Sequence, residues 1–135
     1  MKYLIYGLFF LVSCKQKAKE VSIVGKWEYQ KMETFSGQPI DLTNPAINKL
    51  HEDQKGWTFS FSKDNVFEVT HVKTDKPEEF VAKQPYELPE DKKHLILKNK
   101  GRPDEKFPII ELSDSILKIN IFYSDSAYMV FKRKQ

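Results

Sequence analysis

The side chains best able to do chemistry in this sequence are three histidines, one cysteine and a scatter of carboxylates. His51 leads the polar run His51-Glu52-Asp53. An imidazole beside two carboxylates is the material of a metal site or an acid–base pair, but no other histidine stands at a metal-ligand spacing from it. The run falls where a helix should end, and a solvated imidazole at the carbonyl end of a helix accounts for it. His71 alternates with Phe67 and Val69 on one side of a strand. It is either a strand-end histidine at the mouth of a barrel or a polar contact to a ligand's head group, since apolar pockets carry a few placed polar groups. His94 should point outward. Glu111 can face inward, but a carboxylate without a partner is no catalytic constellation. Ser-His-Asp order, a nucleophile elbow, a phosphate loop and a Cys–His pair are all missing. The sequence therefore predicts no enzyme, no catalytic residue, no metal and no cofactor.

Cys14 is the single cysteine, so neither an intramolecular disulfide nor a thiolate cluster can form. Lys2 gives a one-charge start, and residues 3–12 form an apolar run. That run is too short to cross a bilayer as a helix and suits the apolar region of a signal peptide. It ends Leu11-Val12-Ser13-Cys14, which resembles the lipobox of bacterial lipoproteins. The resemblance implies cleavage before Cys14, a diacylglyceryl group on its thiol and an acyl chain such as palmitate on the new amine. Two or three acyl chains hold a protein on a membrane almost permanently, at about 0.8 kcal/mol per buried methylene. The expected organisation is a signal peptide over 1–13, a lipidated tether over 14–20 and a folded domain over 21–134. Lys15, and not Asp, follows the cysteine; by resemblance to enterobacterial sorting this favours the outer membrane, facing the periplasm.

Any site needs a scaffold, and the organising stretch is residues 21–29. Val21, Ile23, Gly25, Trp27 and Tyr29 alternate with Ser22, Val24, Lys26 and Glu28, the pattern of a strand with one buried face. Gly25 leaves room beside the indole of Trp27, which reads as the plug of a small closed barrel. Strand one is expected over 21–33. Asn44-Pro45 then starts a short helix, with an N-cap side chain and a proline at the first helical position. Ala46, Ile47 and Leu50 would share its apolar face, and the helix, ending near Gly56, is a candidate lid. Further strands are expected over 57–61, 66–72, 80–88, 94–98, 106–112, 116–123 and 127–133. Lys63-Asp64-Asn65, residues 89–93 and Ser113-Asp114-Ser115 make turns between them. Pro85 makes part of its strand irregular, and Ile109-Ile110 leaves the phase of the sixth strand ambiguous. The eight segments and their mostly short connections predict an all-β, antiparallel, up-and-down barrel with one short helix after the first strand. A sandwich is the rival.

Composition agrees with a sheet protein whose surface is ordinary. Aromatics are 13% of 135 residues, charged residues 30%, and the formal net charge is +3. No basic stripe interleaves with exposed aromatics, which excludes a nucleic-acid surface. Lys132-Arg133-Lys134 reads as the solvated end of a strand.

The ordered set Gly25-x-Trp27, Phe59-x-Phe61-x-x-Asp64-x-x-Phe67, Tyr86-x-Leu88, Leu95-x-Leu97 and Ile109-x-x-Leu112-Ser113-Asp114-x-x-Leu117-x-Ile119 resembles the lipocalin-like domains of bacterial lipoproteins, within the calycin group. The resemblance implies a barrel whose last strand lays an arginine, here Arg133, over the Gly-x-Trp indole. It also implies a protein that binds a small hydrophobic or amphipathic ligand in the cell envelope. The candidate cavity residues are Tyr29, Phe59, Phe61, Phe67, Val69, His71, Tyr86, Leu95, Leu97, Ile119, Ile121 and Met129. Their rings either line a hollow or fill the barrel. In the second case the chain is an envelope interaction or assembly protein without a small-molecule ligand. The membrane, through Cys14, and a small apolar ligand are the expected partners; the sequence names no protein partner.

Overall fold

The structure is a computed structural model and describes residues 20–72, 77–121 and 126–135. Cys14, its lipobox and tether residues 14–19 lie outside the described residues, as does Tyr123. Eight strands run in order β1 (Gly25–Thr34), β2 (Trp57–Phe61), β3 (Val66–His71), β4 (Glu79–Glu87), β5 (His94–Leu97), β6 (Glu105–Leu112), β7 (Ile116–Ile119) and β8 (Ala127–Arg133). One helix, α1 (Pro45–Gln54), interrupts them between β1 and β2. Each strand pairs antiparallel with the next, and β8 returns to β1, closing the barrel. A closed, antiparallel, up-and-down all-β barrel is therefore what this chain adopts, and the sandwich is excluded.

Closure is carried by the long β1–β8 seam, which runs from Trp27↔Arg133 to Thr34↔Ala127. Three strands carry a bulge, and each re-aims the side chains beyond it. In β1 the register shifts between Tyr29 and Lys31, so that Met32, not Lys31, continues the buried row. In β4 the residue without a counterpart is Val81, and in β6 it is Ile110. The β6 bulge resolves the Ile109-Ile110 ambiguity: Ile109 packs against the core and Ile110 stays exposed. Pro85 still pairs across to Val66, while β4 reaches β5 only through Tyr86↔Leu97 and Glu87↔Ile96.

Residues 21–24 are not strand, contrary to the expectation for 21–33. Their carbonyls are engaged elsewhere, beneath the barrel. Trp27 Nε1 donates to Ile23 O at 2.9 Å, and Arg133 donates from Nη1 to Val24 O at 2.6 Å and from Nη2 to Ser22 O at 2.5 Å. The Arg133 guanidinium lies over the Trp27 ring at 4.2 Å, and Trp27 itself is wholly buried. A Cβ added to Gly25 would sit 2.7 Å from Arg133 Nη1. Gly25, Trp27 and Arg133 thus form the barrel's floor, with Ile23 buried beside them.

Candidate functional site

The opposite end of the barrel is where polar side chains gather. It opens because β1 and β2 part company early. Their pairing stops at Glu28↔Thr58, whereas β1 continues along β8 for the length of the seam. The chain bridging the gap contains α1. Asn44 caps this helix, its Oδ1 accepting from Ala46 N at 3.0 Å and Ile47 N at 3.4 Å, ahead of Pro45. That start is the one the sequence predicts.

The face of α1 differs from the expected one. Ala46 and Leu50 are exposed; Ile47 packs on the core, His51 is half-buried and Gln54 is buried. These three stand at the spacing of one helical stripe. Tyr29 selects this mixed stripe, because its hydroxyl reaches the mouth of the barrel and meets His51 Nδ1 at 2.8 Å. Burial raises the phenol's pKa well above its ordinary value, so Tyr29 keeps its proton. The helix is held at its other end by His71, which donates from Nε2 to Lys55 O at 3.0 Å. Gly56 then turns the chain into β2 with φ +88°, and its carbonyl accepts from Val72 N at 2.9 Å. A Cβ at Gly56 would lie 2.0 Å from Val72 O, so only glycine fits this corner.

A groove of about 850 Å³ follows the parting of β1 and β2. The lid contributes Glu52, Asp53, Lys55 and Gly56; the strands contribute Glu28, Tyr29, Trp57, Thr58, His71 and Val72, and Lys134 closes one side. Its charged groups are answered within the chain. Glu52 pairs with Lys55 at 2.6 Å, Asp53 with Lys49 at 2.5 Å, and Glu28 with Lys134 at 3.4 Å. Gln54, between the lining residues Asp53 and Lys55, is 3% exposed, and its Oε1 has no hydrogen-bond partner.

Of the candidate cavity residues, Tyr29, Phe59, Phe61, Phe67, Val69, Tyr86, Leu95, Leu97, Ile119 and Met129 belong to one buried cluster, and Ile121 packs against it. His71 stands at the rim. Phe59 stacks on Phe131 at 4.3 Å between ring centres, meets Phe67 at 5.1 Å, and Phe61 meets both Phe67 and Tyr86. This chain of rings fills the lower barrel. Of the candidates, only Tyr29 and His71 line the groove at the mouth; Phe61 lines a second groove of about 470 Å³ outside the floor, beside Gly25 and Lys26. Trp57 lines the groove although the sequence reading did not select it, while His51 and Gln54, on the inward stripe of α1, do not line it. His94 and Glu111 are exposed, and Glu111 pairs with Lys118 at 3.2 Å. Among the described residues no three His, Cys, Asp or Glu side chains gather as a metal site would need.

Comparison with known proteins bears on the scaffold alone. No family model matches the chain, and no curated protein does. Among solved structures, the chain is similar to a lipocalin-like protein from Bacteroides uniformis, with a TM-score of 0.52 and 16% identity over 82% of this chain and 97% of that one. It is also similar to an uncharacterized protein from Bacteroides eggerthii, with a TM-score of 0.56 and 15% identity over 84% of this chain and 100% of that one. At such identities the likeness speaks for the fold.

Proposed function

We propose that this chain is a lipid-anchored, lipocalin-like lipoprotein of the cell envelope that binds a small apolar or amphipathic ligand at the open end of its barrel. The observation that carries the binding half is the groove of about 850 Å³ beside Tyr29, Trp57 and His71. Its size falls in the range of small-molecule sites, roughly 300–1,000 Å³. Tyr29, Trp57 and Val72 give it an apolar strip, and Glu28, Glu52, Asp53, Lys55 and Lys134 line the rest, a mixture that suits an amphipath. The anchoring half rests on Leu11-Val12-Ser13-Cys14. The reading includes the outer membrane as the address, facing the periplasm, and no enzymatic activity.

Native mass spectrometry of the protein extracted from its membrane tests the binding half. A small molecule of constant mass, retained by the wild type and lost from Trp57→Ala, is the expected result. The packed rings of Phe59, Phe61, Phe67 and Phe131 favour a second reading, an envelope interaction or assembly protein with a filled barrel. Bare protein in every preparation would decide for that one.

A further inference from the structure

Little joins α1 to the barrel. From Asp41 to Lys55 only Ile47, His51 and Gln54 are shielded from water; every other residue is exposed. A helix of 10 residues is too short to persist in water once it leaves its support. Two of the three contacts favour the docked position. Ile47 packs on the core, and the Tyr29 hydroxyl meets His51 Nδ1 at 2.8 Å. Gln54 opposes it. This side chain is buried, and its Oε1 has no hydrogen-bond partner. A buried acceptor left unpaired costs free energy, and water returns that cost when the helix lifts. The segment is pinned at both ends. Glu33 bridges to Pro39 before it. After it, His71 Nε2 donates to Lys55 O at 3.0 Å and Gly56 O accepts from Val72 N at 2.9 Å. Between these pins α1 can lift without breaking a strand pairing.

We infer that α1 is a lid that opens on its own, without barrel unfolding, latched by Ile47 and the Tyr29–His51 bond and kept near release by the unpaired amide of Gln54. Glu52 and Asp53 line the groove, so lifting α1 removes one of its walls. Gln54 stays out of the groove while the lid is shut; its part is to set how readily the lid leaves. This inference goes beyond the ligand reading above and does not depend on it, because the opening needs no ligand.

The test is native-state hydrogen exchange of the full chain, read amide by amide by NMR at several low urea concentrations and with no ligand added. Amides of α1 should exchange faster than those of the β1–β8 seam and hardly respond to urea, since undocking one helix exposes little surface. Seam amides should show the steep urea dependence of global unfolding. Gln54→Met replaces the buried amide with an apolar side chain of similar length. It should slow α1 exchange about five- to tenfold, the scale of one polar group relieved of its burial cost, and Tyr29→Phe should speed it by a similar factor. Equal urea slopes for α1 and the seam in the wild type would overturn the lid, because helix and barrel would then open as one. That comparison decides even if a variant fails to fold. Exchange in α1 that is unchanged or faster in Gln54→Met would overturn the role given to Gln54, and unchanged exchange in Tyr29→Phe would overturn the latch.

Discussion

Arg133→Ala should lower folding stability by about 2–5 kcal/mol, although it removes no apolar side chain from the core. The sum is worked from three contributions. The guanidinium lies 4.2 Å from the Trp27 ring centre, and a cation held over an indole contributes about 0.5–2 kcal/mol. Nη1 donates to the half-buried Val24 carbonyl at 2.6 Å, and a hydrogen bond from a charged group contributes about 1.5–3 kcal/mol. The bonds from Nε to Asp114 O and from Nη2 to Ser22 O are exposed, and water can replace most of their worth. The assay is urea unfolding followed by far-ultraviolet circular dichroism and by tryptophan emission. Arg133→Lys should fall between wild type and Arg133→Ala, because lysine keeps the charge but lacks the fork that reaches several carbonyls at once. The emission of folded Arg133→Ala should shift red as water reaches the floor. If both variants unfold within about 0.5 kcal/mol of wild type, the range of an ordinary surface change, the floor is not held by this arginine and the reasoning fails.

Other perturbations follow from the same contacts. Trp27→Ala should cost about 3–5 kcal/mol, as removal of a fully buried aromatic does, and an unchanged urea midpoint would place the indole outside. Gly56→Ala must accept both a positive φ and a Cβ against Val72 O, and should cost about 2–4 kcal/mol; amide exchange in α1 should accelerate. Burial raises the phenol pKa of Tyr29 and of Tyr86. The folded state therefore holds these protons after the unfolded state has released them, so stability is complete below about pH 10 and falls as pH rises beyond it. Tyr29→Phe should flatten part of that alkaline loss, as read from urea midpoints across pH 9 to 11. Cys14→Ala should leave an uncut, unlipidated precursor; complete processing at the same site with continued membrane partition would refute the anchor.

Half of the floor was legible by residue type, a glycine two before a tryptophan; the arginine over the indole came from the family resemblance, since the run Lys132-Arg133-Lys134 by itself reads as a solvated strand end. Strand alternation was equally readable wherever one face is buried. What alternation cannot display is a bulge, since one added residue reverses the phase without changing composition. Gln30, Val81 and Ile110 look like any strand residues, yet they decide that Met32 is inside and Ile110 outside. Hydrophobicity pointed to Leu50 on the lid, whereas the surface facing the lid carries the Tyr29 hydroxyl and so recruits His51. Tyr128 and Val130, on the outer side of β8, are buried as well. Phe35 lies edge-on to the Tyr128 ring at 5.5 Å and the Lys118 ammonium lies over it at 5.8 Å; such cover comes from neighbours distant in sequence. The site was half-visible for the same reason: Tyr29 and His71 belong to the strand pattern, while Glu52, Asp53 and Lys55 reach the groove only through where the lid docks.

The joining of first strand to last carries the rest, because only a closed barrel has one sealed floor and one open mouth. Solution NMR of the full chain reads it directly, through cross-strand nuclear Overhauser contacts between Tyr29 and Phe131 and between Met32 and Met129, pairs in register across β1 and β8. Both contacts should be present, with slow amide exchange along the seam. Their absence, with β1 and β8 amides exchanging as free edges, would contradict the barrel and everything placed at its two ends.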